Sequence, residues 1–252
     1  MKKIKQYIIP LITFFSFILV WEFSVSLFNI KDFILPKPTS VLNTFLHSPK
    51  IYIHHSLITL LEAFLGFSIA NILGFIVAVI FAFNKTIKSA FMPYAIALKT
   101  TPIIAMAPLL IVWAGTGLFS KVIASALICF FPVLINTIKG LHSTTKLEED
   151  LFHSFKASNI QTFWYLKLPK SLPYIFSALK ISTTLSVVGA IVGEFVGAKE
   201  GIGYLIVVSS YRLETNQMFV GIILSALIGF IFYNIIAYIE PLIIYWRNEN
   251  NA

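Results

Sequence analysis

The chain has 252 residues, 58% of them hydrophobic and 12% charged, with a mean hydropathy of +0.85. Soluble domains carry roughly 25% charged residues, so the composition excludes an ordinary soluble domain and points to an integral membrane protein. The formal charge of +8 does not indicate nucleic-acid binding, because the lysines are scattered between apolar runs and form no basic face.

Met1 to Gln6 carries Lys2, Lys3 and Lys5 and is followed by an almost wholly apolar run over 7–28. A basic start before an apolar run resembles a signal peptide. No small-residue cleavage site follows, however, so a retained first span is expected. The stretch 29–56 is mixed. Leu35-Pro36-Lys37-Pro38 reads as a turn, after which Thr39 or Ser40 can cap a short surface helix over 41–46.

A second span is expected over 57–83, long enough at 1.5 Å per residue to cross about 30 Å of hydrocarbon. A short basic loop leads to a third span over 90–113, interrupted by Pro102 and Pro108, and a glycine-containing turn leads to a fourth over 121–138. A fifth is placed at 172–196 and a sixth at 218–239, with Gly201-Ile202-Gly203 in the segment between them. The fold class is therefore all-α. It is a polytopic membrane protein of six transmembrane helices forming one domain over 1–252.

Six spans put both termini on one side of the membrane. If that side is the cytoplasm, the inner segments and adjoining span ends hold Lys2, Lys3, Lys5, Lys85, Lys88, Lys139, Lys146, Lys156, Lys167, Lys170, Lys180 and Arg247. The outer ones hold Lys31, Lys37, Lys50, Lys121, Lys199 and Arg212. This bias favours cytoplasmic termini and a cytoplasmic loop over 144–173.

Small residues recur at every fourth position in three spans: Gly66, Ala70, Gly74, Ala78 and Ala82; Gly189, Gly193, Gly197 and Gly201; Gly221, Ser225 and Gly229. Close backbone approach at such stripes drives helix association in lipid. A compact bundle is expected, with one stripe available to another subunit. Ionisable groups within spans are costly and mark function by default. Lys99 and Glu194 are the leading candidates, either facing a pathway or pairing with each other. Glu22, Glu62, Lys180 and Glu240 sit nearer span ends and are expected to reach the interface. Cys129, the single cysteine, lies in an apolar run, and the five histidines lie outside the apolar runs, so no disulfide and no metal site are expected.

The polar loop over 144–173 stands apart from its surroundings. It reads as a short amphipathic helix, a turn near Lys156 to Asn159, and a second short segment stopped by Leu168-Pro169. Leu151 and Phe155 fall on one face of that helix. The loop resembles the cytoplasmic coupling loop of permease subunits of binding-protein-dependent ABC importers. The likeness rests on Ala157-Ser158, Leu166-Lys167-Leu168-Pro169 and Leu172-Pro173. Leu151 and Phe152 stand where two alanines are usual, and Lys156 where glycine is usual. Further likeness lies in Ile34 to Pro38, Thr101 to Leu109, Phe131 to Asn136, Gly193 to Ala198 and Gly201 to Leu205. These place the chain near the nitrate, sulfonate and taurine branch, and within it nearest to permeases for the thiamine precursor hydroxymethylpyrimidine.

The resemblance implies the type I importer permease fold, with a cytoplasmic coupling helix, in the bacterial inner membrane. It implies a non-catalytic subunit that works with a cytoplasmic ATPase dimer, a second permease copy and a periplasmic substrate-binding protein. The solute would be a thiamine precursor, or a taurine-, sulfonate-, nitrate- or riboflavin-like compound. The chain has no GxxxxGK[ST] phosphate loop, so ATP and Mg would sit on the partner, and no cofactor is expected here. Glu149, Asp150, Leu151, Phe152, Phe155, Lys156, Ala157 and Ser158 would contact the ATPase. Lys99, Thr100, Thr101, Met106, Asn136 and Glu194 would line the pathway. An ion-coupled secondary transporter is the alternative, since the proline-broken third span partly matches the discontinuous helices of such carriers.

Overall fold

The computed structural model describes residues 2–246, with side chains from Ile8 onward. The tail from Arg247 to Ala252 lies outside the described residues, as do the side-chain charges of Lys2, Lys3 and Lys5. Every regular element among the described residues is helical.

Helix α1 (Lys2–Leu27) is apolar on nearly all sides and exposes most of its large side chains, as a lipid-facing span should. Two features join it to the rest. Trp21 meets the Phe219 ring with centroids 5.6 Å apart. Glu22 accepts from the backbone N–H (3.1 Å) and the hydroxyl (2.8 Å) of Thr39. Helix α2 (Pro38–His47) is thus capped by a carboxylate from α1, rather than by Thr39 or Ser40 as the sequence suggests. It also begins three residues earlier than expected, because Pro38 fixes the first-turn dihedral.

Helix α3 (Pro49–Phe83) runs for 35 residues, so the second span starts eight residues before its apolar stretch and carries His54 and His55 within it. The third span is broken. Helices α4 (Lys85–Thr100) and α5 (Ile103–Ala114) meet at 100°. Pro102 lacks an N–H and holds Thr101 extended (φ −73°, ψ 122°). The carbonyl of Ala97 is satisfied by the Thr101 amide and by both threonine hydroxyls, at 2.9–3.2 Å.

Helix α6 (Leu118–Leu141) is the fourth span and the centre of the bundle. The polar loop folds as α7 (Lys146–Ser154) and α8 (Asn159–Thr162), and then a π turn (Phe163–Lys167) leads directly into α9 (Leu168–Glu194). The expected stop at Leu168-Pro169 does not occur. The Leu168 amide donates to the Phe163 carbonyl, five residues back, and this wider turn accommodates the proline that follows. The fifth span is therefore the end of a 36-residue helical run, Asn159–Glu194. Helix α10 (Ile202–Tyr211), which hydropathy leaves as a connecting segment, precedes α11 (Thr215–Ile243).

The small-residue stripes of α3 and α9 both close on α6. A β-carbon at Gly66 would strike the Ser125 side chain, and one at Gly189 would strike the Ser125 backbone. Ser125 is thus pinched between two helices. Gly74 meets Val133, and Gly193 meets Lys121. Both stripes serve packing within the chain rather than contact with another subunit. Gly197 and Gly201 do not continue the α9 stripe. They lie in the following loop with φ of +70° and +104°.

Candidate functional site

Three features of the bundle carry polar or exposed chemistry. The first is α7. Thr145 and Glu148 form a reciprocal cap: the Thr145 amide donates to Glu148 (2.7 Å) and the Glu148 amide to the Thr145 hydroxyl (3.4 Å). Glu148 also pairs with Lys170, and Glu149 with Lys167 at 3.1 Å, so α7 is fastened to the foot of α9. The Lys170 ammonium, helped by the Thr145 cap, holds the Glu148 carboxyl down at about 2. The Thr144 hydroxyl and Lys167 lower that of Glu149.

The C-terminal end of α7 closes through a Schellman motif. The Ala157 amide donates to the Phe152 carbonyl (3.0 Å) and the Lys156 amide to that of His153 (2.9 Å). The motif needs a left-handed residue, and Lys156 supplies it at φ +55°. Lysine thus occupies a backbone conformation that glycine adopts without strain. Ser158 then caps α8 by a second reciprocal pair with Gln161.

These fastenings leave an apolar face in water. Leu151 is 54% and Phe155 77% exposed. With Phe152, Ala157, Gln161 and Tyr165 they border a recess of about 490 Å³. Asp150 and Lys156 are also exposed, whereas Glu149 and Ser158 already serve the loop's own structure. Tyr165 joins this face because the π turn continues the helix; its place in the Phe163-Trp164-Tyr165 triplet was the available signal.

The second feature is a cavity of about 330 Å³ at the α4–α5 bend, lined among others by Lys99, Thr100, Thr101, Met106, Phe131 and Leu185. The Lys99 ammonium stands 4.7 Å from the centroid of the Phe131 ring. Four of the six expected pathway residues come together here. Asn136 does not: its amide turns back to the Pro132 carbonyl at 2.8 Å. Glu194 does not either, and no Lys99–Glu194 pair forms.

Glu194 belongs to the third feature, a buried polar junction at the opposite end of α9 from α7. Its Oε1 accepts from the Thr59 hydroxyl at 2.6 Å, and its Oε2 accepts from the Gly203 amide. The Ile202 amide donates to the Thr59 oxygen at 2.8 Å, and the Gly201 amide to His55 Nδ1 at 3.0 Å. The amides of Gly201, the residue just before α10, and of Ile202 and Gly203, its first two residues and orphan donors in any helix, are thus bonded to side chains from α3 and α9. Gly201 is required here, since a β-carbon would overlap the Glu194 carboxylate. Glu62 is buried against Glu194 and hydrogen-bonded to it, not at the interface as expected. Lys180 and Glu240, also assigned to the interface, pair with each other at 2.7 Å between α9 and α11.

Glu62 was missed because an ionisable group near a span end reads as interfacial. The signal was its register: it lies one turn before Gly66 in the α3 stripe. Likewise Lys121 lies one turn before Ser125 in α6, and Glu194 one turn after Ala190 in α9. All six residues are buried.

Residues 70–245 match the family of binding-protein-dependent transport system inner membrane components. The chain belongs to this family. It is 31% identical over 250 residues to a formylaminopyrimidine transport permease protein of Halalkalibacterium halodurans, covering 99% of this chain and all of that one. It is 33% identical over 238 residues to a riboflavin transport system permease protein of Chloroflexus aurantiacus, covering 94% and 89%. In structure it resembles a chain of the methionine ABC transporter in an inward-facing form. The TM-score is 0.63 at 18% identity, over 76% of this chain and 97% of that one. The fold is that of type I ABC importer permeases. This is a non-catalytic, multi-pass subunit of the inner membrane, and the ion-coupled carrier is set aside.

Proposed function

We propose that two copies of this chain form the pathway of an ABC importer for a small heterocyclic solute, with a thiamine precursor of the hydroxymethylpyrimidine type favoured. A soluble ATPase dimer docks on α7, a periplasmic binding protein delivers the solute, and both termini face the cytoplasm. ATP and Mg belong to the ATPase, and this chain holds no cofactor. The observation that carries the reading is α7 itself. It is a capped helix anchored by two ion pairs whose apolar face, Leu151 and Phe155, is left to water. Such a face is the anatomy of a docking site.

The cavity at the α4–α5 bend is the favoured resting place for the solute. It offers an aromatic ring in Phe131, a cation in Lys99 and the positive end of α5. The substrate class is supported by the pyrimidine named for one relative and the flavin named for another.

The decisive experiment co-purifies the chain in detergent with the ATPase encoded nearest to it, and then measures uptake of labelled hydroxymethylpyrimidine, riboflavin, taurine and nitrate in vesicles with the neighbouring binding protein. Wild type should hold the ATPase and take up the pyrimidine. Failure to retain any ATPase would end the docking assignment. Uptake of another solute with no pyrimidine uptake would end the substrate assignment. Lys99→Gln and Phe131→Ala should each reduce uptake at least tenfold while the ATPase stays bound.

A further inference from the structure

Two acids and a base meet inside the bundle where the buried stripes of α3, α6 and α9 end. Glu62 and Glu194 are 4% and 1% exposed, and their carboxyl groups are hydrogen-bonded to each other. Two carboxylates cannot make that bond, because each is only an acceptor. Ion pairing does not remove the difficulty, since no cation stands within 4 Å of either acid among the described residues. Lys121 is the nearby base, but its ammonium is held by the carbonyls of Thr116 and Gly117, the latter at 2.9 Å.

The hydrogen bonds also separate the two acids. Glu194 accepts on both oxygens, from the Thr59 hydroxyl and the Gly203 amide, as an anion does. One oxygen of Glu62, Oε2, is buried with no hydrogen-bond partner. A carboxylate with a bare, buried oxygen is strongly disfavoured, whereas a carboxylic acid tolerates it far better. The other titratable groups around the junction are His55, whose Nδ1 is occupied as an acceptor by the Gly201 amide, Tyr204, whose ring lies 5.9 Å from that of His55, and the more exposed His54–Glu200 pair at 3.6 Å.

We propose that Glu62 and Glu194 form a one-proton binding site, in which Glu62 is a carboxylic acid that donates to the Glu194 anion. The proton serves α10. It leaves a single negative charge at that helix's N-terminus, where the peptide dipoles favour one anion, and it removes the repulsion between two buried acids. Neither residue lines the cavity at the α4–α5 bend, so the site is distinct from the proposed solute route and does not depend on it.

Infrared spectroscopy of the full-length chain in lipid nanodiscs at neutral pH tests this, with glutamate carboxyl groups labelled by carbon-13. A carbonyl stretch of protonated carboxylic acid is expected, shifted by the label and absent from Glu62→Gln. Glu62→Gln keeps the donor without the proton, so its thermal midpoint should stay within about 2 °C of wild type. Glu194→Gln, which removes the anion from three donors, should lower it several-fold more. Absence of a label-shifted acid band in wild type overturns the site even if neither variant folds. A band that survives in Glu62→Gln overturns the assignment of the proton to Glu62.

Discussion

The Thr59 hydroxyl lies 2.6 Å from Glu194 Oε1, joining two residues 135 apart in sequence. The same oxygen accepts from the Ile202 amide, so one side chain ties α3, α9 and α10 together. Thr59→Val keeps the shape and removes the hydroxyl, leaving a buried amide and a carboxylate each short of a partner. The expected loss is about 1–3 kcal/mol, read from thermal unfolding in detergent. Thr59→Ser should recover most of it, and equal losses for valine and serine would contradict the relay.

Leu151→Asp and Phe155→Asp should release the ATPase without lowering the chain's own thermal midpoint. Both side chains are exposed in the isolated subunit, so charging them removes no internal packing. A matching fall in the midpoint would mean that this face packs on the bundle rather than on a partner.

Lys156 adopts φ +55° to complete the Schellman motif. Lys156→Gly should relieve strain on the order of 1 kcal/mol. Hydrogen exchange of the Lys156 and Ala157 amides is the sensitive readout, and protection should rise. Lys156→Val should lower it, since a branched β-carbon fits that conformation worst.

Glu148 has its pKa lowered from an ordinary 4.5 to about 2. A depressed carboxylate pKa gives stabilisation that is present in full above the unfolded value and is lost as pH falls through the folded one. Hydrogen-exchange protection of α7, corrected for intrinsic rates, should therefore be flat from pH 7 to about 5 and decline towards 2. The Glu149 shift has the same sign. Glu148→Gln should start low and lose most of the dependence.

Gly189 approaches the Ser125 backbone so closely that an added β-carbon would overlap it. Gly189→Ala should cost about 1–3 kcal/mol by forcing α6 and α9 apart. Gly229→Ala is the control, because nothing lies within 4 Å of that position.

Hydropathy located each span because apolar length is a local property. The loop over 144–173 was equally plain, being the long polar interruption, and Lys156, which stands where the resemblance expects glycine, is the residue with positive φ. Helix α10 escaped because its start is defined from a distance, by His55, Thr59 and Glu194 acting on Gly201 and its neighbours. The Lys99–Glu194 pairing failed for a related reason. Both residues looked like isolated charges in apolar runs, but the α4–α5 bend carries Lys99 to Phe131, while Glu194 is fixed by partners on α3 and α10.

The π turn at Phe163–Lys167 has a consequence for length variation in this part of the chain. A π step is a single-residue insertion into an α-helix, and each α-helical residue turns the chain by about 100°. Deleting one residue here would restore a regular helix at little local cost. It would also swing Trp164 and Tyr165 about a third of a turn around the axis of α9, while α7 stays where the Glu148–Lys170 pair and its short link to α6 hold it. Ser182, Ser186, Gly189 and Gly193 would still meet α6, but the two ends of the rod would no longer be in phase. A chain engineered without that residue should therefore fold normally yet turn Tyr165 away from the recess that it borders with Leu151 and Phe155.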